Sequence, residues 1–347
     1  MFYYAIRHVT RYRYSTPIGE SVMEVRMQPR SEGSHRCWDF QLSSAPRAKV
    51  ASYRDSLGNH VHHFDIPGRH TKLTITAESV VEIAPTPEPV GIGPEAWDAL
   101  DALAESGREW EMLRPSKFSR SSPLLEEFAL EINLCRGEDP WTTLLGLNKA
   151  IHEAFEYVPK STRVDSPIDL VLEQRRGVCQ DFAHVMAVLI RKLGIPCRYV
   201  SGYLFHRRGD EGERRAADAT HAWVEAFLPG HGWVGLDPTN NTVASDRHVR
   251  VAIGRDYHDV PPTRGFYKGD SRSELSVSVE VSETDAPVDF DPPAPENWVA
   301  VETEAPDVTS LQQQQQQSQQ EQQQQSLNGW RQSQSGSGKS QRQSQGR

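Results

Sequence analysis

Three residues in this 347-residue chain have the types and surroundings for nucleophilic chemistry: Cys179, His221 and Asp237. Cys179 lies in "RRGVCQDFAHVMAVLIRKLGIPCRYVSGYL", Arg175 to Leu204, with Gly177 just before it and Gln180 and Asp181 just after. Phe182, Val185, Met186, Leu189, Ile190 and Leu193 follow at helical spacing, and Gly194 and Pro196 stop the run. Cys179 therefore opens a helix and falls on or near its inward stripe. The unpaired N–H groups and the dipole of a helix start favour a thiolate there, and the same N–H groups could hold a developing oxyanion. A cysteine on an apolar stripe also packs as a small hydrophobe, so the chemical reading needs a partner base.

"DATHAWVEAFLPGHGWVGLDPTNN" supplies one. A strand over Thr220–Leu228 puts His221, Trp223, Glu225 and Phe227 on one face, and the next strand puts Trp233, Gly235 and Asp237 on one face. If the hairpin closes with Phe227 opposite Trp233 or Leu228 opposite Gly232, Trp223 lies opposite Asp237. His221 is then the diagonal neighbour of Asp237 on the same face, where a carboxylate can orient an imidazole. A slip of one residue puts the two on opposite faces.

The elements that must position these residues read as an α+β chain. Residues 1–84 form an antiparallel β domain: Leu73, Ile75 and Ala77 alternate with Thr74 and Thr76, and Gly58-Asn59 marks a hairpin. Residues 85–94 are a Pro/Gly-rich linker. Residues 95–284 form the core. Helical stripes run through Trp97, Leu100 and Leu103, through Leu124, Phe128 and Ile132, and through Leu144, Leu147, Ile151 and Phe155. Pro167 opens a short helix before the Cys179 helix. The strands behind are "CRYVSGYLF", "ATHAWVEAFL", "GWVGLD" and, as a fourth, "ELSVSVEVS" at Glu274–Ser282. Residues 285–347, rich in Gln, Ser and Pro, carry too little apolar surface to fold and read as a disordered tail.

Composition narrows the function. A formal net charge of −9 argues against a nucleic-acid binder. Arg7, Arg11 and Arg13 interrupt what would be the core of a secretory signal, and the longest apolar run, Val185–Ile190, is too short to span a bilayer. Four separated cysteines, Cys37, Cys135, Cys179 and Cys197, suit free thiols in a reducing cytoplasm rather than a disulfide framework or zinc site. A cytoplasmic protein without nucleic-acid or membrane partners is expected; oligomeric state is not legible.

The two stretches around Cys179 and His221, with "HVRVAIGRDYHDVPPTRGFYKG", resemble the three signature stretches of bacterial transglutaminase-like proteins, members of the papain-type cysteine enzymes. "HVTRYRYSTPIGESVMEVRMQPR" and "DSLGNHVHHFDIPGRHTKLTITAESVVE" resemble the β domain that precedes their core, so the likeness covers about residues 1–282. The resemblance implies a papain-like transglutaminase core with helices packed on an antiparallel sheet. It matches Cys179 to the nucleophile and His221 and Asp237 to its partners, with no cofactor. It implies acyl transfer through a thioester on a peptide or protein substrate. Water as acceptor gives a protease or amidase, the expected outcome because no calcium loop is visible. A lysine amine gives a cross-linking transglutaminase. A scaffold acting through the β domain and tail is the non-enzymatic alternative. The Cys179 N–H is one oxyanion donor. Tyr157 in "EAFEYVPKSTRV" is a candidate for the second, with a tyrosine closing an amphipathic helix as the alternative.

Other residues carry less. Trp223 shares the face of His221 and could wall a substrate cleft or pack in the core. Asp181 suits a structural role in the first helical turn, and His184 points away from Cys179. His60 and His62 share a face, yet no Cys or carboxylate completes a metal set beside them, so no metal site is expected. His206, His231, His248 and His258 read as loop residues, and Cys135 and Cys197 as packing residues.

Overall fold

The computed structural model describes residues 1–164, 166–206 and 220–284. The expected disordered tail at 285–347 lies outside the described residues. The chain begins with six strands, β1 (Phe2–Ile18), β2 (Glu20–Val25), β3 (His35–Ala45), β4 (Ala51–Arg54), β5 (His60–Ile66) and β6 (His70–Ile83). Six helices and three strands follow: α1 (Glu95–Glu105), α2 (Trp110–Leu113), α3 (Pro123–Glu131), α4 (Pro140–Ala154), β7 (Glu156–Tyr157), α5 (Ile168–Gln174), β8 (Arg176–Gly177), α6 (Cys179–Lys192) and β9 (Cys197–Leu204). The remaining strands are β10 (His221–Leu228), β11 (Gly232–Asp237), β12 (Thr242–Val243), β13 (His248–Gly254), β14 (Thr263–Lys268) and β15 (Ser273–Thr284). The expected β region ends where β6 ends, and no helix or strand interrupts the Pro/Gly-rich segment before α1.

Two four-stranded antiparallel sheets, in the orders β15-β1-β6-β3 and β14-β2-β5-β4, build the N-terminal region. Alternation closes the core between them: Leu73, Ile75 and Ala77 of β6 meet Met23 and Val25 of β2 and Phe64 and Ile66 of β5. The hairpin expected at Gly58-Asn59 joins β4 to β5, with the Asp55 carboxylate accepting the Leu57 and Asn59 N–H groups. The opposite ends of the long strands β1 and β6 serve a second core. There Tyr4, Ile6, Val81 and Ile83 pack with the helices.

The strand "ELSVSVEVS" corrects one expectation. It forms β15, which pairs with β1 from Tyr3↔Thr284 to Tyr14↔Ser273 and takes no part in the sheet that carries His221 and Asp237. β14 likewise pairs with β2. Residues 263–284 thus complete the N-terminal sheets. Alternation reports that a strand has two faces but not which sheet edge receives it.

The central five-stranded sheet has the order β12-β11-β10-β9-β13 and is antiparallel throughout. The helix α6 lies against β9 and β10 on one side and α4 and α5 on another. It is buried well beyond the single stripe that its spacing predicts. Gln180, Asp181, His184 and Arg191 are also buried, each with a partner. Arg191, for example, donates to the carbonyls of Met112, Cys197 and Arg255. A helix enclosed on several sides must satisfy most of its polar groups internally; each of these four has a partner, and the Arg191 Nη1 is left without one.

The N-terminal sheets are tied to the five-stranded sheet by polar contacts. The His8 ring bonds the Tyr203 hydroxyl at 2.9 Å. The Asn59 amide pairs with the backbone of Ile253 in both directions, at 2.8 Å each. Glu225, buried in β10, accepts from Arg198 at 2.5 Å and Arg250 at 2.7 Å, and Arg198 also faces Glu32 at 3.7 Å. Glu225 is thus a buried charge whose cost is offset by two guanidinium partners.

Candidate active site

Cys179 is the first residue of α6 and is half-buried. The chain reaches it through Arg175, whose φ of 53° closes α5, and through the two-residue strand β8, paired in parallel with β7. Val178 is the extended N-cap. Asp181 reaches back to accept the Val178 N–H at 2.8 Å and the Thr162 hydroxyl at 2.5 Å. Burial pushes its carboxyl up, and the two hydrogen bonds act in the opposite sense. This is the structural role expected for Asp181. It also explains Gly177: a Cβ there would stand 2.9 Å from Asp181 Oδ2 and 3.0 Å from its Cβ. The glycine lets the acid fold under the helix start. The Cys179 N–H, in the first turn, belongs to the donors that a helix leaves without an intrahelical acceptor.

Tyr157 stands opposite Gly177 in the β7–β8 pair, so it belongs to a strand and not to the end of α4. Its ring meets Phe182 edge-on at 6.5 Å. Burial, then the negative charge that Cys179 and Asp181 bring, raises its pKa well above the ordinary 10. The phenol therefore remains a hydrogen-bond donor at every physiological pH, close enough to Cys179 to sense its charge.

The hairpin β10–β11 closes in the expected register, with Phe227↔Trp233 and Leu228↔Gly232. His221 and Asp237 consequently share a face, and His221 Nε2 lies 2.8 Å from Asp237 Oδ2. Both side chains are buried. Burial alone would lower the His221 pKa. The charge and hydrogen bond of Asp237, joined by a hydrogen bond and charge from Cys179, reverse this and raise it to about 10. Asp237 is held far below the usual carboxylate range: burial opposes ionisation, but the two histidines that face it outweigh that cost. Its Oδ1 accepts the N–H groups of Thr239 and Asn240, and the Asn240 side-chain amide donates to Oδ2 at 2.8 Å. Thiol, imidazole and carboxylate thus form one connected chain.

One participant is not legible as such in the sequence. His248, expected in a loop, opens β13, is buried, and places Nε2 3.2 Å from the same Asp237 Oδ2. Only the β13–β9 pairing, which sets His248 against Leu204, brings it there. His221, Asp237 and His248 present ligand-type atoms within 4.8 Å of one another, and no other such set occurs among the described residues. Both imidazoles and Asn240 converge on the carboxylate, so the set forms a hydrogen-bond network.

The remaining candidates are placed as follows. Trp223 is buried with Val200 and Ile253, and its ring packs beside both His221, at 6.1 Å, and His248, at 5.2 Å. It also borders a cleft of about 290 Å³ with His35, Trp233 and Arg250, and Cys179 is not among the lining residues. His184 is directed away from the thiol: its Nε2 accepts the Tyr257 N–H, and burial lowers its pKa to about 4. His62 packs on Phe40 at 4.8 Å. Cys197 is a packing residue, as expected, but Cys135 is exposed because it follows α3 on the surface.

Comparison with known proteins places the chain in a family. Residues 4–82 match the bacterial transglutaminase-like N-terminal region, and residues 135–238 match the transglutaminase-like superfamily core. The chain belongs to the transglutaminase-like superfamily and carries its bacterial N-terminal region. An uncharacterised protein of Mycobacterium leprae is 33% identical over 275 residues, covering 79% of this chain and 96% of that one. A protein-glutamine gamma-glutamyltransferase of Pseudomonas aeruginosa is 36% identical over 97 residues, covering 27% of this chain and 14% of that one. Among solved structures, a candidate cysteine protease from Cytophaga hutchinsonii shares the fold, with a TM-score of 0.62 and 22% identity over 84% of this chain and 93% of that one.

Proposed function

We propose that this protein is a cysteine-dependent acyl-transfer enzyme that hydrolyses peptide or carboxamide bonds through a thioester. The observation that carries the reading is the connected chain Asp237–His221–Cys179, in which Asp237 favours a proton on His221 beside the Cys179 sulfur. With the thiol proton on His221, the sulfur of Cys179 attacks the substrate carbonyl. The Cys179 N–H faces the oxyanion, and Tyr157 is the candidate second donor. His221 then protonates the departing amine, the C–N bond breaks, and a thioester remains. Water, deprotonated by His221, releases the acid and regenerates the thiol. Asp237 orients the ring through both steps.

The acceptor separates two readings. The Pseudomonas relative named as a protein-glutamine gamma-glutamyltransferase supports the alternative, in which a lysine amine replaces water and proteins become cross-linked. A glutamine-bearing peptide incubated with a labelled primary amine distinguishes them: ammonia release with a free carboxylate marks hydrolysis, and amine incorporation marks transfer.

The catalytic assignment itself is tested by alkylation with iodoacetamide followed by peptide mapping of the four thiols. Burial, joined at Cys37 by the charge of Asp39, pushes Cys37 and Cys197 up to about 12, so both should react slowly. Cys179 is expected to react ahead of the exposed Cys135, and His221→Ala should remove that preference. Equal labelling of Cys179 and Cys135 in the unaltered protein would overturn the reading and leave a scaffold role.

A further inference from the structure

We propose that His248 is a positioning residue of this site, a neutral second histidine whose Nε2–H holds the Asp237 Oδ2 oxygen in place for His221. The proposal rests on the catalytic reading of Cys179, His221 and Asp237, and it assigns work to a residue outside that triad.

Four observations support it. First, the Ser245 N–H donates to His248 Nδ1 at 3.1 Å. An imidazole that accepts at Nδ1 carries its proton at Nε2, and Nε2 faces Asp237 Oδ2. Backbone geometry therefore selects the tautomer that can donate to the carboxylate. Second, the ring is locked. The His248 N–H returns to the Ser245 carbonyl at 3.0 Å, its own carbonyl bonds His35 Nε2 at 2.8 Å, and Trp223 meets it edge-on.

Third, the ring is kept neutral. Burial lowers its pKa, the cations of His221 and Arg247 lower it further, and Asp237 opposes them without prevailing. His35, whose own pKa is lowered chiefly by burial, adds no positive charge at neutral pH. His248 therefore donates a hydrogen bond without competing with His221 as the cation that Asp237 stabilises. Fourth, the carboxylate is fixed at both ends. The backbone of Thr239 and Asn240 holds Oδ1, and His248 with Asn240 brackets the Oδ2 that faces His221. A carboxylate that cannot turn holds its imidazole in one orientation, which is what a general base requires.

Two measurements on the full chain test this. Long-range ¹H–¹⁵N spectra of the ¹⁵N-histidine-labelled protein should show His248 as the neutral Nε2–H tautomer through the neutral pH range. A proton on Nδ1, or an imidazolium, would overturn the proposal whatever Cys179 does. The second is the pH profile of Cys179 alkylation in His248→Leu and His248→Gln. The leucine variant should slow alkylation by at least about tenfold, as loss of an orienting partner commonly does, and shift the limb that His221 controls. The glutamine amide, which can still donate to Oδ2, should restore most of the rate. A leucine variant that changes only the melting temperature, with wild-type alkylation rate and pH profile, would make His248 merely structural. Failure of the triad reading looks different: Cys179 would then show no preference in the unaltered protein, while the tautomer would still be observed.

Discussion

Asp237 is the residue on which the charge balance of this site turns. It is fully buried, stays ionised, and holds His221 cationic. A histidine whose pKa rises from 6.5 to about 10 on folding contributes stability that is complete below about pH 6.5. That contribution disappears as pH climbs through about 10. Asp237 remains a carboxylate across this window and adds no slope of its own. Urea denaturation at a series of pH values should therefore show the unaltered protein losing stability between these limits. Asp237→Asn, less stable at neutral pH, should close the gap toward pH 10, and a constant difference across the range would contradict the ion-pair account. At this scale Cys179, His221 and Asp237 were legible, because a helix start, a strand face and a hairpin register are local properties. His248 was not, since its contact depends on β13 joining the far side of β9, a pairing between segments about 45 residues apart.

The elements that hold these residues are set by close backbone approaches. Gly202 of β9 pairs with His221, and a Cβ there would stand 2.1 Å from the Val249 carbonyl and 2.6 Å from the Trp223 ring. It permits β9, β10 and β13 to draw together so that both histidines reach one carboxylate. Gly202→Ala is expected to cost about 1–3 kcal/mol, the usual range for overpacking a filled core. Because the strain falls beneath both histidines, Cys179 alkylation should slow by more than lost stability alone explains. Chemical denaturation and alkylation of the folded variant together check this. The stripe on α6 was readable from spacing, yet its burial on further faces was not. Gln180, Asp181, His184 and Arg191 look like solvent residues until the loops and strands that satisfy them are in place.

Across the whole molecule, the β region is more than an appendage. Its sheets contact the five-stranded sheet through His8–Tyr203 and Asn59–Ile253, and His35 reaches the backbone of His248 itself. The two halves of the α+β reading were legible from alternation and helical spacing. Their interleaving was not. In β15 only Val279 is deeply buried, so its sequence marks it as a strand without naming its neighbour. A chain ending after Thr284 and one ending after Pro262 differ by β14 and β15. The shorter should melt at a lower temperature and expose the outer edges of β1 and β2, seen as faster amide hydrogen exchange in both strands. Equal melting temperatures and equal exchange would show that these strands add nothing to the sheets.

That interleaving has a consequence for how the protein comes into being. A ribosome delivers β1 and β2 long before residue 284, so they must wait for partners made far later in the chain. Domains commonly fold in order of emergence, at about 5–20 residues per second of synthesis, but these sheets cannot close in that order. While the nascent chain lengthens, two open edges stand ready to pair with any other strand. The sheet that braces His35 and the backbone of His248 is likewise unfinished until β15 arrives. The Cys179 thiol is therefore synthesised well before β14 and β15, the strands that complete the sheets around it.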